Sequence, residues 1–196
     1  LFENAKSSIL LAKTNGDIIM INKSANTLLT AIGVEYKNNF NDMLNDIFIY
    51  PNQLIELVKV SLDLNEVAQG EFKLKNHNSP EEYWIQVFIL LTKDENNERY
   101  LQIFINDISA RKAEIKQLSI HANYDKLTGL YNRHATERII EQMMCEGVNL
   151  AILIIDLNDF KPINDTYGHE AGDLILKHIS EQFNSSLRKG DIAGRW

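Results

Sequence analysis

N-L-A-I-L-I-I-D-L-N-D-F-K-P-I-N-D-T-Y-G-H-E-A-G-D, from Asn149 to Asp173, is the stretch whose reading decides the fold of the C-terminal half. It opens with an unbroken apolar run, Leu150 to Ile155, long enough for one strand and too short for a typical helix. Isoleucine dominates the run, and β-branched side chains suit a strand covered on both faces, so a buried strand is predicted. Asp156 stands at its end, followed by Lys161, Pro162, Asn164, Asp165, Gly168, His169, Gly172 and Asp173. Pro162 bars continuation of the strand. Leu174, Ile175, Ile179, Phe183 and Leu187 then predict one face of an amphipathic helix. A carboxylate at the mouth of a buried strand can hold a hard cation. A lysine beyond it can neutralise phosphate, and an amide with a second acid can read a base edge. The alternative is an ordinary strand ending in an acid and a polar loop, because short motifs of this kind are common.

A second stretch lies one helix upstream: D-K-L-T-G-L-Y-N-R, from Asp125 to Arg133. D-x-L-T-G-L-x-N-R followed by D-L-x-x-F-K-x-I-N-D-x-x-G-H-x-x-G-D resembles the GGDEF family of diguanylate cyclases, and the resemblance covers Asn123 to Trp196. It implies a palm-like α/β sandwich that joins two GTP molecules into cyclic di-GMP and releases pyrophosphate. One domain holds one GTP, so two domains must face each other.

The resemblance makes Asp156 the first metal-binding acid and the carbonyl of Leu157 a further oxygen ligand, for Mg²⁺ or Mn²⁺. Asp156 and Lys161 are then the expected catalytic residues. Backbone amides around Asp159 and Phe160 would cradle the β- and γ-phosphates, with Lys161 adding a mobile charge. Asn164 and Asp173 match the guanine readers. Guanine offers N–H donors that a carboxylate accepts, whereas adenine would leave that acid unpaired. His169 lies beside this pocket and is expected to cap a helix or fill a structural role rather than a catalytic one. Arg188 and Asp191 match the R-x-x-D site at which the product inhibits. Two departures stand out. Asn158 occupies a position where the family often has Asp. The family's Gly-Gly-Asp-Glu-Phe loop would follow Arg195-Trp196, so these 196 residues by themselves are expected to be catalytically inactive.

The length allows one large or two small domains. A formal net charge of −7 argues against a nucleic-acid groove or a membrane-surface role. The single cysteine, Cys145, excludes an internal disulfide and a cysteine-based zinc cluster. Its place beside Met143 and Met144 in a helical pattern predicts a buried structural thiol. No run reaches the roughly 18 apolar residues of a membrane span. A cytoplasmic location is expected, with an upstream membrane segment left open because the chain starts at Leu1 rather than methionine.

In the N-terminal half, Ser7 to Lys13 and Asp17 to Asn22 read as strands around an Asn15-Gly16 turn. Lys23 to Ala31 reads as a helix stopped by Gly33. Asn38 to Tyr50 reads as short helices and turns, and Pro51 opens a longer helix carrying Leu54, Leu57, Val58 and Leu62. Glu71–Lys75, Tyr83–Thr92 and Arg99–Ile108 read as three antiparallel strands. This order, with Asn15-Gly16-Asp17, Trp84 and Asp107-Ile108-Ser109, resembles a PAS domain. At the PAS exit the acid and hydroxyl tie the last strand to the outgoing helix.

The expected organisation is α+β: a PAS sensor at 1–109, a helical linker at 110–122 and the N-terminal part of a GGDEF domain at 123–196. Ile108, Ile115, Leu118 and Ala122 follow an a/d spacing. The linker is therefore either a helix packed on its own domain or a two-helix seam joining a homodimer. Without a cysteine, and with its one histidine, His77, in a polar loop, the PAS half is expected to hold neither flavin adduct nor haem; Trp84 is expected in the core. A small apolar or acidic ligand, or none, stays open. Three functions compete: a sensor-regulated diguanylate cyclase, a degenerate domain that only binds GTP or cyclic di-GMP, and a PAS interaction module.

Overall fold

The computed structural model describes every residue except Leu1, Asn4 and Asn65. Its contacts divide the chain into two units, Leu1–Ala113 and Glu114–Trp196.

In the first unit, strands β1 (Ser8–Lys13) and β2 (Ile18–Ile21) pair antiparallel around the Asn15-Gly16 turn. Of these two turn residues only Gly16 takes a positive φ, +95°. A Cβ there would come within 2.9 Å of Asn39 Oδ1, so both backbone conformation and space call for glycine. Helix α1 (Lys23–Ile32) is capped by the fully buried Asn22. Its Oδ1 accepts from Ala25 N at 3.0 Å and from Ile9 N at 2.9 Å, and its Nδ2 donates to Ser7 O at 2.9 Å. One side chain thus starts the helix and pins it to β1. Gly33, at φ +75°, ends α1 in the left-handed conformation. A 3₁₀ turn (Phe40–Asp42), helix α2 (Leu44–Ile47) and helix α3 (Pro51–Leu64) follow.

Strands β3 (Ala68–Leu74), β4 (Tyr83–Lys93) and β5 (Arg99–Asp107) complete a five-stranded antiparallel sheet in the order β2-β1-β5-β4-β3. Helices inserted between the second and third strands cover one face, which is the PAS arrangement. Phe72, Leu74, Ile85, Val87, Ile89, Leu101 and Ile103 point into the core and meet Leu29, Ile32, Met43, Ile47, Phe48 and Leu54. The strand alternation corrects one expectation. Ile85, Val87 and Ile89 face inward, so Trp84 lies half-buried on the sheet's other face. Helix α4 (Ser109–Asn123) leaves the sheet with no buried side chain along its length. Ile108, just ahead of it, is buried, while Ile115 and Leu118 are 51% and 60% exposed.

The second unit contains strand β6 (Tyr131–Asn132), helix α5 (Arg133–Cys145), helix α6 (Phe160–Tyr167), helix α7 (His169–Ser186) and strand β7 (Gly194–Arg195), which pairs parallel with β6. The α+β class holds, but the buried strand expected at Leu150–Ile155 does not form. The run carries no regular secondary structure and no sheet partner among the described residues, and Leu153 and Ile154 are 82% and 88% exposed. A strand is defined by its ladder, and apolar character alone supplies no pairing edge.

Three further expectations change. Cys145 is exposed at the end of α5 rather than buried. The segment from Phe160 is helical, with Pro162 in the first turn, where its missing N–H costs nothing. Helix α7 begins at His169 rather than near Leu174; Leu174 is exposed, and Leu187 lies past its end. Among the described residues, no helix is long and apolar enough to cross a membrane.

Candidate functional site

One of the expected site residues, Asn164, meets the backbone of α7 where α6 packs against it. Asp159 precedes α6 at φ +59°, a left-handed conformation that Asp tolerates better than most residues. The first ladder bond of α6 runs from Ile163 N to Asp159 O at 3.3 Å, which leaves the amides of Phe160 and Lys161 without an intrahelical acceptor. Such amides suit an anion. Helix α6 ends as Gly168 N donates to Asn164 O at 2.9 Å, and Gly168 turns the chain straight into α7 at φ +85°.

The seam between these helices is close because residue 172 has no side chain. A Cβ built on Gly172 would collide with Asn164 Oδ1 and come within 3.1 Å of Phe160 Cζ. The sequence thus lays the Asn164 amide against the backbone immediately before Asp173. Asn164 is half-buried, while Asp173 and Lys161 are exposed. His169 is the first residue of α7 and is exposed; the cap position itself belongs to Gly168.

Asp156 is exposed at the end of the apolar run, and Leu157 is half-buried beside it. Among the described residues, no three His, Cys, Asp or Glu side chains form a metal-holding group. The Asp156 carboxylate and the Leu157 carbonyl are hard oxygen donors, the kind Mg²⁺ takes, and they supply one carboxylate. Mg²⁺ commonly fills its remaining positions with phosphate oxygens and water, so the donor set suits a cation that arrives with a nucleotide.

Arg188 and Asp191 meet in a reciprocal turn. Asp191 Oδ2 accepts from Arg188 N at 3.0 Å, and Asp191 N donates to Arg188 O at 3.0 Å. Gly190 carries the turn at φ +104°. The carboxylate is engaged locally, and the Arg188 side chain is exposed.

The D-x-L-T-G-L-x-N-R stretch proves to be a structural clasp, a role its sequence did not disclose. Asp125 Oδ1 accepts from Thr128 N at 3.0 Å, Thr128 Oγ1 at 2.7 Å and Arg195 Nη1 at 3.0 Å. Burial alone would raise the Asp125 carboxyl, but the Thr128 and Arg195 contacts outweigh it and hold the group below its ordinary value. Asn132 caps α5 through Ala135 N at 2.9 Å and donates to Ala122 O at 2.9 Å. Tyr124 and Tyr131 stack at 4.7 Å between centroids, and the Arg133 guanidinium lies 4.6 Å from the Trp196 ring centroid. The Asp125–Thr128 turn has a recognisable local spacing. Its pairing with Arg195, 70 residues away, has none.

Residues 122–196 match the family described as diguanylate cyclase, GGDEF domain, so the chain carries a GGDEF-family segment. Over 170 residues it is 28% identical to the diguanylate cyclase VdcA of Vibrio cholerae, a match covering 83% of this chain and 47% of that protein. Over 96 residues it is 38% identical to the cyclic di-GMP phosphodiesterase NbdA of Pseudomonas aeruginosa, covering 47% of this chain and 12% of that protein. The chain therefore spans less than half the length of either relative. A solved PAS domain from Colwellia psychrerythraea is 19% identical, with a TM-score of 0.43, over 56% of this chain and 92% of that one.

Proposed function

We propose that this chain belongs to a sensor-regulated diguanylate cyclase that makes cyclic di-GMP from two GTP. A role in cyclic di-GMP signalling follows from the GGDEF segment and its relatives. The finer reading is carried by the α6–α7 seam, where Asn164 lies against Gly172 beside Asp173, following the open amides of Phe160 and Lys161. In this reading the Asn164 amide and the Asp173 carboxylate take the guanine edge. The Phe160 and Lys161 amides, with the Lys161 ammonium, hold the β- and γ-phosphates. Asp156 and the Leu157 carbonyl hold Mg²⁺ or Mn²⁺, which would neutralise charge on the reacting phosphate. Arg188 forks onto product phosphate outside this pocket, with Asp191 fixing the turn that presents it. Two GTP-loaded copies must meet, so a homodimer joined through the first unit and α4 supplies the second site. Upstream, Asp107 Oδ1 accepts from Ser109 N at 2.8 Å and Ser109 Oγ accepts from Trp84 N at 2.9 Å. These bonds tie the sheet to α4 and give a sensor signal a rigid exit.

The test is Asp156→Ala in the full-length protein, assayed for cyclic di-GMP from GTP with Mg²⁺. The expected outcome is a loss of at least about 100-fold, as a fixed charge-stabilising ligand is removed. Product formation at the wild-type rate would overturn the assignment. The phosphodiesterase relative supports a second reading, a GGDEF segment that binds nucleotide without joining two. In that case the unmutated protein binds GTP through Asn164 and Asp173 and forms no cyclic di-GMP.

A further inference from the structure

Helix α4 poses a physical problem. Its 15 residues bury no side chain, and an isolated helix of that length is marginal in water. Its far end is tied by Asn132, which donates to Ala122 O at 2.9 Å, and its start is held separately. Two backbone bonds contribute: Ile108 N donates to Trp84 O, and Lys112 N donates to Ile108 O, both at 2.9 Å. Beyond them, the Lys112 side chain reaches back one helical turn onto the sheet's outer face. Its ammonium pairs with Glu71 of β3 and lies 4.9 Å from the centroid of the Trp84 ring on β4.

The receiving surface is organised for one cation at this place. Lys73 and Trp84 are register partners, and so are Glu71 and Gln86. Lys73 is already engaged with Glu82 at 2.6 Å, and the Trp84 indole donates to that same Glu82 at 3.3 Å. Glu71 is thereby left to the helix, and the ring is fixed edge-on to Glu82 with its face toward Lys112. The Lys112 hydrogen bond, aided by the nearby charge of Arg111, keeps the Glu71 carboxyl below its ordinary value.

We propose that Lys112 is a latch that couples strands β3 and β4 to the first turn of the exit helix. Through it, any change at the outer face around Trp84 and Glu71 reaches α4 directly. The contact is separate from the Asp107–Ser109 tie, which engages the backbone of β4 one turn earlier. The proposal rests on the geometry of the first unit alone and stands independently of the nucleotide chemistry.

Hydrogen–deuterium exchange of the 196-residue chain tests it at the amides of residues 112–116, with the amides of β4 and β5 as internal reference. Lys112→Met keeps the aliphatic stem and loses the charge. It is expected to speed exchange in the first turn of α4 about five-fold, the size of one exposed cation–π contact with an ion pair. The reference strands should stay unchanged. Lys112→Arg, which keeps the charge and stacks on an aromatic ring, should restore wild-type exchange. In a Glu71→Gln, Trp84→Leu background the Lys112→Met change should have no further effect. Unchanged exchange in Lys112→Met overturns the proposal. So does a rise shared equally by β4 and β5, which would mean that the residue supports the whole sheet rather than the helix.

Discussion

Strand β4 and the run Leu150–Ile155 are close in composition and opposite in fate. Both are rich in isoleucine and leucine, and both are β-branched enough for a strand. In β4, Ile89 is completely buried, paired with Ala68 of β3 on one side and Ile103 of β5 on the other. In the second run, Ile154 is 88% exposed and no described strand lies beside it. The difference teaches that an apolar run carries a potential for burial, while a partner edge decides whether the potential is realised. The first unit supplies its edges by the hairpins β1–β2, β3–β4 and β4–β5 and by the long-range pairing of β1 with β5. The second unit is held differently, by a helix seam and a clasp: Asn164 against Gly172, and Asp125 with Thr128 and Arg195.

The sharpest way to break this comparison is a matched pair of truncations. Ile89→Ala opens a cavity in a closed core and is expected to cost about 2–5 kcal/mol. Ile154→Ala removes exposed atoms and is expected to stay within about 0.5 kcal/mol of the unmutated chain. Urea unfolding, followed by Trp84 fluorescence for the first unit and Trp196 for the second, with the other tryptophan replaced by Phe, reads the two separately. A loss in Ile154→Ala comparable to that in Ile89→Ala would show that the run is buried in solution and would end the contrast.

Gly172→Ala is the next largest effect. The new methyl overlaps the Asn164 amide, and the seam must open or the amide must swing out. Overpacking of this kind costs about 1–3 kcal/mol. The expected outcome is a lower unfolding midpoint by Trp196 fluorescence with the Trp84 transition unmoved. Thermal and urea transitions identical to the unmutated chain would mean that α6 and α7 are loosely packed there.

The smallest effect concerns pH and the clasp. Asp125 has a folded-state pKa below its ordinary value, so its contribution is fully present above about pH 4 and fades as pH falls through the lower folded value. The pair is partly exposed, Arg195 at 38% and Asp125 at 25%, and solvent screens it, so the contribution is at most about 1 kcal/mol. Asp125→Asn should therefore melt below the unmutated chain at neutral pH, and the gap should close as pH falls from about 4 toward 2. A gap that is constant across that window would show that the Arg195 pairing adds nothing to stability.

By itself the sequence determined what depends on a few neighbouring residues. The Asn15-Gly16 turn, the Gly33 stop and the Pro51 helix start set backbone conformations that need no distant partner, and each was legible. The family was legible too, because the motifs from Asp156 to Asp173 and at Arg188–Asp191 keep their spacing within short stretches of chain. Only the tertiary structure decided which face a residue occupies and who stands opposite. It turned Trp84 outward to receive Lys112 and placed Asn22 where one amide serves a helix and a strand. It paired Asp125 with Arg195 and left Leu150–Ile155 without a ladder. The physical reason is range. Turns and caps are set by dihedral preferences and bonds within about four residues, whereas burial and strand pairing depend on surfaces that chain closure must bring together from far along the sequence.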